Sequence, residues 1–110
     1  MRSVIRPCAV IVALAGCGAG ATASTDGAEI FATTCAQCHG EAGQPTEAMI
    51  ARLGVRDLTS ADFKARITLE LVENQVRYGS KNQLMPALSG ALREDQIKSV
   101  SRYVFERFRK

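Results

Sequence analysis

The chain has 110 residues, of which 46% are hydrophobic, and its 14 basic and 11 acidic residues give a net charge of +3. This length corresponds to one domain, and the nearly balanced charge excludes the basic footprint of a nucleic-acid-binding protein. Aromatic residues make up 5% of the chain and tryptophan is absent. A domain this small has little apolar core of its own to stabilise it.

Residues 1–23 are predicted to be an export leader. Arg2 and Arg6 precede an uninterrupted apolar run at residues 8–15, which is the charged and hydrophobic pattern of a secretory signal. The run is too short to span a bilayer, which needs about 20 residues. The leader therefore predicts export to the periplasm.

Two cleavage sites are compatible with this leader. The L-A-G-C stretch that ends at Cys17 resembles the lipobox of bacterial lipoproteins, in which the cysteine becomes the lipidated first residue. The A-T-A stretch at residues 21–23 instead suits ordinary cleavage before Ser24. The lipobox directly follows the apolar run, so spacing favours a lipid anchor at Cys17, and both sites stay open.

The remainder, residues 24–110, is predicted to be one domain built only from helices and loops. Asp26, with Glu29 three positions later, forms a capping pattern that opens a helix running to Cys35. Glycine and proline then mark a loop around residues 40–45, and residues 48–53 are predicted to form a short turn. No alternating pattern of the β type is present.

Three further helices are predicted from their caps and apolar spacing. The T-S-A-D stretch at residues 59–62 opens a short helix to about Arg66. Thr68 opens another over residues 69–78, and Gly79 is placed to end it in a left-handed conformation. The last helix runs from Glu94 to about Phe108. Apolar residues recur at helical spacing on one of its faces, which should pack against the first helix: Ile97, Val100, Val104 and Phe108.

The stretch Cys35-Ala36-Gln37-Cys38-His39 carries the strongest functional signal. C-x-x-C-H is typical of c-type haem attachment. Two thiols three positions apart fall on one side of a helical turn, where both can add to the vinyl groups of one porphyrin. His39 would then lie beneath the iron as the proximal ligand, and it is the only histidine in the chain.

Two other chemistries use a C-x-x-C pair. A thiol–disulfide redox site is expected in a βαβ context, and no strand-rich pattern surrounds this pair. A zinc site needs four ligands, and the only other cysteines, Cys8 and Cys17, lie in the leader. Haem attachment is therefore the favoured interpretation.

A second iron ligand is predicted at Met85. Methionine is more often core filler, but Pro86 holds Met85 in an extended loop pose. Met85 also lies 46 residues past His39, which leaves enough chain to wrap a porphyrin and reach its far face. Met49, ten residues past His39, is a poorer candidate. Methionine and histidine together are a known axial pair for haem iron.

With the haem motif, the Met85-Pro86 loop and the closing helix, residues 26–107 resemble a small bacterial monohaem cytochrome of the class I cytochrome c family. The resemblance implies an all-α, class I cytochrome c-like fold, with short helices around one covalent haem c and crossing N- and C-terminal helices. Residues at the family's crossing positions are Gly27 and Phe31 in the first helix and Val100 and Tyr103 in the last.

The resemblance is incomplete in the surroundings of the haem. In the family, a proline carbonyl often accepts a hydrogen bond from the haem histidine, and that proline commonly lies further along the chain than Pro45 does here. Serine or threonine often caps the last helix, where this chain has Arg93. Arg52 and Arg56 are candidate partners for the haem propionates.

The predicted function is one-electron transfer between redox partner proteins by a periplasmic or membrane-tethered carrier. Because His39 and Met85 would fill both axial positions, the iron has no open site for substrate, and the protein is not expected to be an enzyme. One alternative is a haem-based ligand-binding or sensor module, with a free sixth position. Another is an electron-transfer subunit of a larger oxidoreductase complex.

Overall fold

The structure is a computed structural model that describes residues 23–110, and all the regular elements in that range are helical. The predicted all-α class is therefore confirmed. The leader, the two cleavage sites and Cys17 lie at or before the start of the described residues. The elements are α1 (Gly27–Ile30), a π-helical turn (Phe31–Cys35), α2 (Ala36–His39), α3 (Glu47–Leu53), α4 (Ala61–Arg66), α5 (Leu69–Tyr78) and α6 (Glu94–Phe108).

The first helical segment continues past its predicted end at Cys35 and contains a π-helical turn. The Asp26 side chain accepts from the Ala28 N–H and caps the start. Further on, the Thr33 hydroxyl donates to the Glu29 carbonyl at 2.9 Å, which is the back-bonding that distorts helices. The Ala36 N–H consequently reaches the Phe31 carbonyl, five residues back. Turns of this kind are frequent at functional sites, and this one ends at Cys35.

Short polar side chains begin the next three helices. Thr46, Ser60 and Thr68 each accept a hydrogen bond from the backbone N–H three residues further on, the usual N-cap arrangement. Helices α4 and α5 begin where the sequence predicted. The turn predicted at residues 48–53 is wrong, because the Thr46 cap and a left-handed Gly54 enclose a complete helix, α3.

The core is centred on the crossing of α1 and its π-helical turn with α6. Ile30 and Val100 are completely buried there. The Phe31 ring lies 5.6 Å from the Tyr103 ring and 5.8 Å from the Phe108 ring, measured between centroids. All four apolar residues of the predicted α6 stripe are buried.

Gly27 is the point of closest approach between the two terminal helices. A Cβ atom added there would lie 2.4 Å from the Ser99 carbonyl oxygen and 2.8 Å from the Tyr103 Cβ. Only a residue without a side chain therefore allows this separation of the backbones.

Gln96 joins the start of the domain to α6. Its side chain is 2% exposed; its amide nitrogen donates to the Ser24 carbonyl at 2.8 Å, and its amide oxygen accepts from the Arg93 N–H at 2.9 Å. Gln96, the third residue of α6, thus provides the hydrogen-bond acceptor for the backbone N–H of Arg93, the N-cap residue. Within residues 23–110, no helix combines the length and apolar character needed to cross a membrane.

Candidate haem site

An apolar cavity of about 540 Å³ lies between the π-helical turn, α2, α5 and the loop after α5. This volume is in the range of small-molecule and cofactor sites, about 300–1,000 Å³. Cys35, Cys38, His39 and Met85 all line it. The wall is otherwise built largely from apolar side chains, among them Phe31, Leu58, Phe63, Ile67, Val72, Val76, Leu88 and Val104.

The two cysteines reach the cavity from the end of the π-helical turn and from α2. Both are half-buried free thiols. Burial, and secondly the neighbouring Cys38, raise the pKa of the Cys35 thiol to about 11. A redox-active cysteine usually has a lowered pKa, because the thiolate is the reactive form. The surroundings of Cys35 therefore argue against the thiol–disulfide alternative.

His39 is oriented by a backbone carbonyl far along the chain. Its Nδ1 lies 3.0 Å from the carbonyl oxygen of Arg56, 17 positions later. With the proton on Nδ1 donated to this oxygen, Nε2 keeps the lone pair that a metal needs, an arrangement common to metal-binding histidines. Burial lowers the pKa of His39, and the bond to the Arg56 carbonyl opposes that effect. The imidazole is thus favoured in the neutral form that binds metal.

The acceptor of the His39 hydrogen bond is not the proline that the family resemblance suggests. Pro45 does not make this hydrogen bond, whereas Arg56, in the segment between α3 and α4, does. The structure therefore assigns to an arginine carbonyl the contact that the family resemblance associates with a proline. The Leu58 N–H donates to the Gly43 carbonyl at 2.9 Å and joins this segment to the loop after α2.

The loop that carries Met85 is folded by its own hydrogen bonds. The Ser80 hydroxyl accepts from the Met85 N–H at 3.0 Å and donates to the Asn82 side-chain oxygen at 2.6 Å, while the Ser80 N–H donates to the Met85 carbonyl at 2.9 Å. These contacts hold Met85 half-buried on the cavity wall. Met49 lies in α3 and does not line the cavity.

Gly79 allows the chain to enter this loop. Its φ of 72° has the predicted positive sign, but its ψ of −172° is extended and not left-handed helical. A side chain there would lie 2.5 Å from the Met85 carbonyl oxygen. The glycine therefore ends α5 and also lets the Met85 segment pack back against the end of the helix.

Among residues 23–110, the charged residues that line the cavity are basic. Arg56 and Arg66 contribute to the lining, and no aspartate or glutamate of this range does so. Arg52, the other candidate for a propionate, does not line it. Across residues 23–110, no group of three or more His, Cys, Asp or Glu side chains is arranged to hold a metal ion.

These features fit haem c. The apolar wall suits the body of a porphyrin, the paired thiols can form its two thioether bonds, and the basic side chains suit its carboxylates. A neutral imidazole with an oriented N–H and a thioether both face the same space. Haem c would be held covalently by Cys35 and Cys38 and would supply one-electron chemistry at its iron.

Comparison with known proteins points to the same cofactor. Residues 22–104 match the family described as cytochrome C oxidase, cbb3-type, subunit III. Cytochrome c6 of Euglena gracilis is 33% identical over 81 residues, covering 72% of this chain and 86% of the relative. Cytochrome c6 of Cladophora glomerata is also 33% identical over 81 residues, with 74% and 85% covered. The solved structure of the KustC0563 c-type cytochrome has a TM-score of 0.65 and 26% identity, over 74% of this chain and 96% of that one.

Proposed function

This chain belongs to the cytochrome c family, and we propose that it is a monohaem electron carrier of class I, working outside the cytoplasm. Its cofactor is haem c and its broad role is electron transfer, as the family implies. The observation that carries the finer proposal is that both cysteines, His39 and Met85 line one apolar cavity.

We propose that His39 and Met85 are the two axial ligands of the iron. The bond from His39 Nδ1 to the Arg56 carbonyl leaves Nε2 free for the metal, and the hydrogen bonds of Ser80 hold the Met85 backbone in one loop conformation. Methionine–histidine ligation raises the reduction potential, and an apolar pocket disfavours the extra positive charge of the ferric state. The site would therefore favour ferrous iron.

Occupation of both axial positions distinguishes a carrier from an enzyme or a ligand sensor. An iron with two protein ligands has no open position for substrate or gas, so its chemistry is restricted to gaining and losing one electron. The relatives that match this chain are themselves cytochromes, which agrees with a carrier. A haem-based sensor would instead need an empty or weakly held sixth position.

The proposal is tested by Met85→Ala in protein expressed with the cytochrome maturation machinery. We expect haem to stay attached, the weak far-red band of sulfur-ligated ferric iron to disappear, the potential to fall, and carbon monoxide to bind readily. Met49→Ala is the matched control, because Met49 is half-buried outside the cavity lining, and it should keep the band and the potential. A Met85→Ala protein that keeps its potential and excludes carbon monoxide would contradict the assignment.

A second candidate function is an electron-transfer subunit of a larger oxidoreductase complex. It is favoured by the match of residues 22–104 to a family described as a subunit of a cbb3-type oxidase. Both candidates use the same haem chemistry and differ in assembly. Isolation of the native protein without detergent as a single polypeptide would support a free carrier, whereas stable co-purification with other redox subunits would support the second function.

We further propose that the protein works in the periplasm with redox proteins as electron donor and acceptor, and not with nucleic acid. Leu71 and Leu84 line the cavity and are 56% and 48% exposed, so they offer apolar surface beside the haem site for a partner to contact. The domain would begin at Ser24, whose carbonyl is bound by Gln96. The mass of the N-terminal peptide of the mature protein would distinguish a lipidated Cys17 from cleavage after Ala23.

A further inference from the structure

The end of α6 packs against the loop that follows the haem motif, far from α6 in the chain. We propose that Phe108, at this end, is a positioning residue for His39. Its ring fixes Gly43, and Gly43 fixes the backbone segment whose Arg56 carbonyl accepts the hydrogen bond from His39 Nδ1. This role rests on the proposed function, because it requires His39 to be an axial ligand, and it is independent of the sixth ligand.

Three hydrogen bonds join the loop after α2 to the segment before α4 in a closed circuit. The Gly43 N–H donates to the Gly40 carbonyl at 3.0 Å, and the Leu58 N–H donates to the Gly43 carbonyl at 2.9 Å. Arg56, two residues before Leu58, returns the circuit to His39 through the 3.0 Å contact between its carbonyl oxygen and Nδ1. Because His39 and Gly40 are adjacent in the chain, a shift of Gly43 changes the separation of the two atoms in the His39 hydrogen bond.

The Phe108 ring lies directly against Gly43. A Cβ atom added to Gly43 would lie 2.5 Å from Phe108 Cε1, 2.6 Å from Phe108 Cζ and 3.3 Å from Leu58 Cβ. Gly43 is buried and has a φ of 80°, so both its backbone conformation and this close approach require glycine. The ring therefore covers the residue at which two hydrogen bonds of the circuit meet.

Phe108 has further packing partners that hold its ring in place. The Phe108 side chain is 5% exposed, and its ring centroid lies 5.8 Å from that of Phe31, which lines the haem cavity. The Arg107 guanidinium lies 5.4 Å from the same centroid. Protein interiors are close-packed, so a smaller side chain at position 108 leaves space beside Gly43. Gly43 lies outside the helices, and its loop can therefore move into that space.

The strength of the His39 hydrogen bond affects the iron. Donation from Nδ1 to a carbonyl raises the basicity of the imidazole as a ligand, and a more basic ligand stabilises ferric iron more than ferrous iron. A weaker hydrogen bond should therefore raise the reduction potential. General loosening of the cavity should instead lower it, because water stabilises the more highly charged ferric state. The sign of the shift thus separates a positioning role from a merely structural one.

The experiment compares three variants of the haem-containing protein. Phe108→Leu removes the ring atoms that contact Gly43. Phe105→Leu is the matched control, because Phe105 is half-buried in the same helix, where its ring contacts Arg109. Val100→Ala controls for lost stability, because Val100 is completely buried at the helix crossing and does not line the haem cavity. We expect the reduction potential to rise in Phe108→Leu and to stay at or below the wild-type value in the two controls.

Hydrogen exchange at His39 provides a second readout. His39 is the only histidine in the chain, so isotopically labelled histidine identifies its Nδ1–H by NMR. In the wild-type protein, this group and the Leu58 N–H should exchange with the same free energy of opening, because both belong to one closed circuit. Phe108→Leu should accelerate exchange at both groups, and Phe105→Leu should leave both unchanged.

Two results for the potentials would overturn this role of Phe108. One is a Phe108→Leu potential equal to or below that of wild type, and the other is an equal rise in either control. If Phe108→Leu yields no folded haem protein, exchange in the wild-type protein decides. Equal free energies of opening for His39 Nδ1–H and the Leu58 N–H support the circuit, and clearly different ones contradict it.

These outcomes are separable from failure of His39 as an axial ligand. In the ferric protein, the unpaired electron of the iron strongly shifts the NMR signals of an axial imidazole. Unshifted signals from the labelled His39 would refute axial ligation itself. Shifted signals together with an unchanged Phe108→Leu potential would refute only the positioning role of Phe108.

Discussion

The crossing of the terminal helices depends on the absence of a side chain at residue 27, which makes Gly27→Ala an informative perturbation. The new Cβ would lie 2.4 Å from the Ser99 carbonyl oxygen and 3.0 Å from the Ser99 carbonyl carbon. Both atoms belong to the α6 backbone, so no side-chain rotation can relieve the contact. The helices must separate, which loosens the packing of Phe31 against Tyr103.

The expected cost follows from two opposing effects. Adding a methyl group to a tightly packed contact typically destabilises by about 1–3 kcal/mol. Alanine is favoured over glycine in a helix interior by up to about 1 kcal/mol, but residue 27 is the first helical position and gains less. We expect a net loss of about 1–2 kcal/mol, which for a domain of this size lowers Tm by roughly 5–15 °C.

The measurement is unfolding of the haem protein by denaturant and by heat, followed by circular dichroism. Gly90→Ala is the control, because no atom lies within 4 Å of a Cβ at that position, and it should unfold close to wild type. The far-red band of Gly27→Ala should be unchanged before unfolding begins. A Gly27→Ala protein as stable as Gly90→Ala would refute the close crossing.

Two further variants test the energetics of α6. Ser101→Ala should stabilise the protein by about 1 kcal/mol, since the Ser101 hydroxyl is fully buried and has no hydrogen-bond partner within the described residues. Ser99→Ala controls for helix propensity, because Ser99 is half-buried in the same helix. An equal gain in stability for Ser99→Ala would contradict the explanation. Hydrogen bonding from Arg77 lowers the pKa of Glu94, so this carboxylate contributes stability above its unfolded pKa and loses it as pH falls through the folded one. Glu94→Gln should therefore be less stable than wild type at neutral pH, and the free energies of unfolding of the two proteins should converge in acid. Chemical unfolding at a series of pH values measures both free energies. A stability difference that is constant with pH would exclude the ionic contribution.

The helices that the sequence predicted correctly have local signals. Ser60 and Thr68 cap α4 and α5, and α6 runs from Glu94 to Phe108 with its apolar stripe buried. The wrong prediction at α3 also concerns a local signal, because the helix begins at a threonine cap, Thr46. The π-helical turn had a weaker signal, a threonine whose hydroxyl can bond to the preceding turn.

The surroundings of the haem site were harder to predict, because they depend on residues distant in the chain. No pattern marks Arg56 as the hydrogen-bond acceptor of His39, since any residue offers a backbone carbonyl. Gln96 was likewise missed: its contact with Ser24 joins residues 72 positions apart. The burial of the Gln96 side chain follows only from the folded arrangement of α6 and the segment that contains Ser24.

By itself, the sequence determined the chemistry that is encoded over a few neighbouring residues. The spacing of Cys35, Cys38 and His39, the caps and the α6 stripe follow from one turn of helix, and they are sufficient for an all-α fold and for haem c. Tertiary structure decided which residues line the cavity, which carbonyl orients His39 and how closely the terminal helices approach at Gly27. These depend on the packing of segments far apart in the chain, where only the folded structure fixes the distance between them.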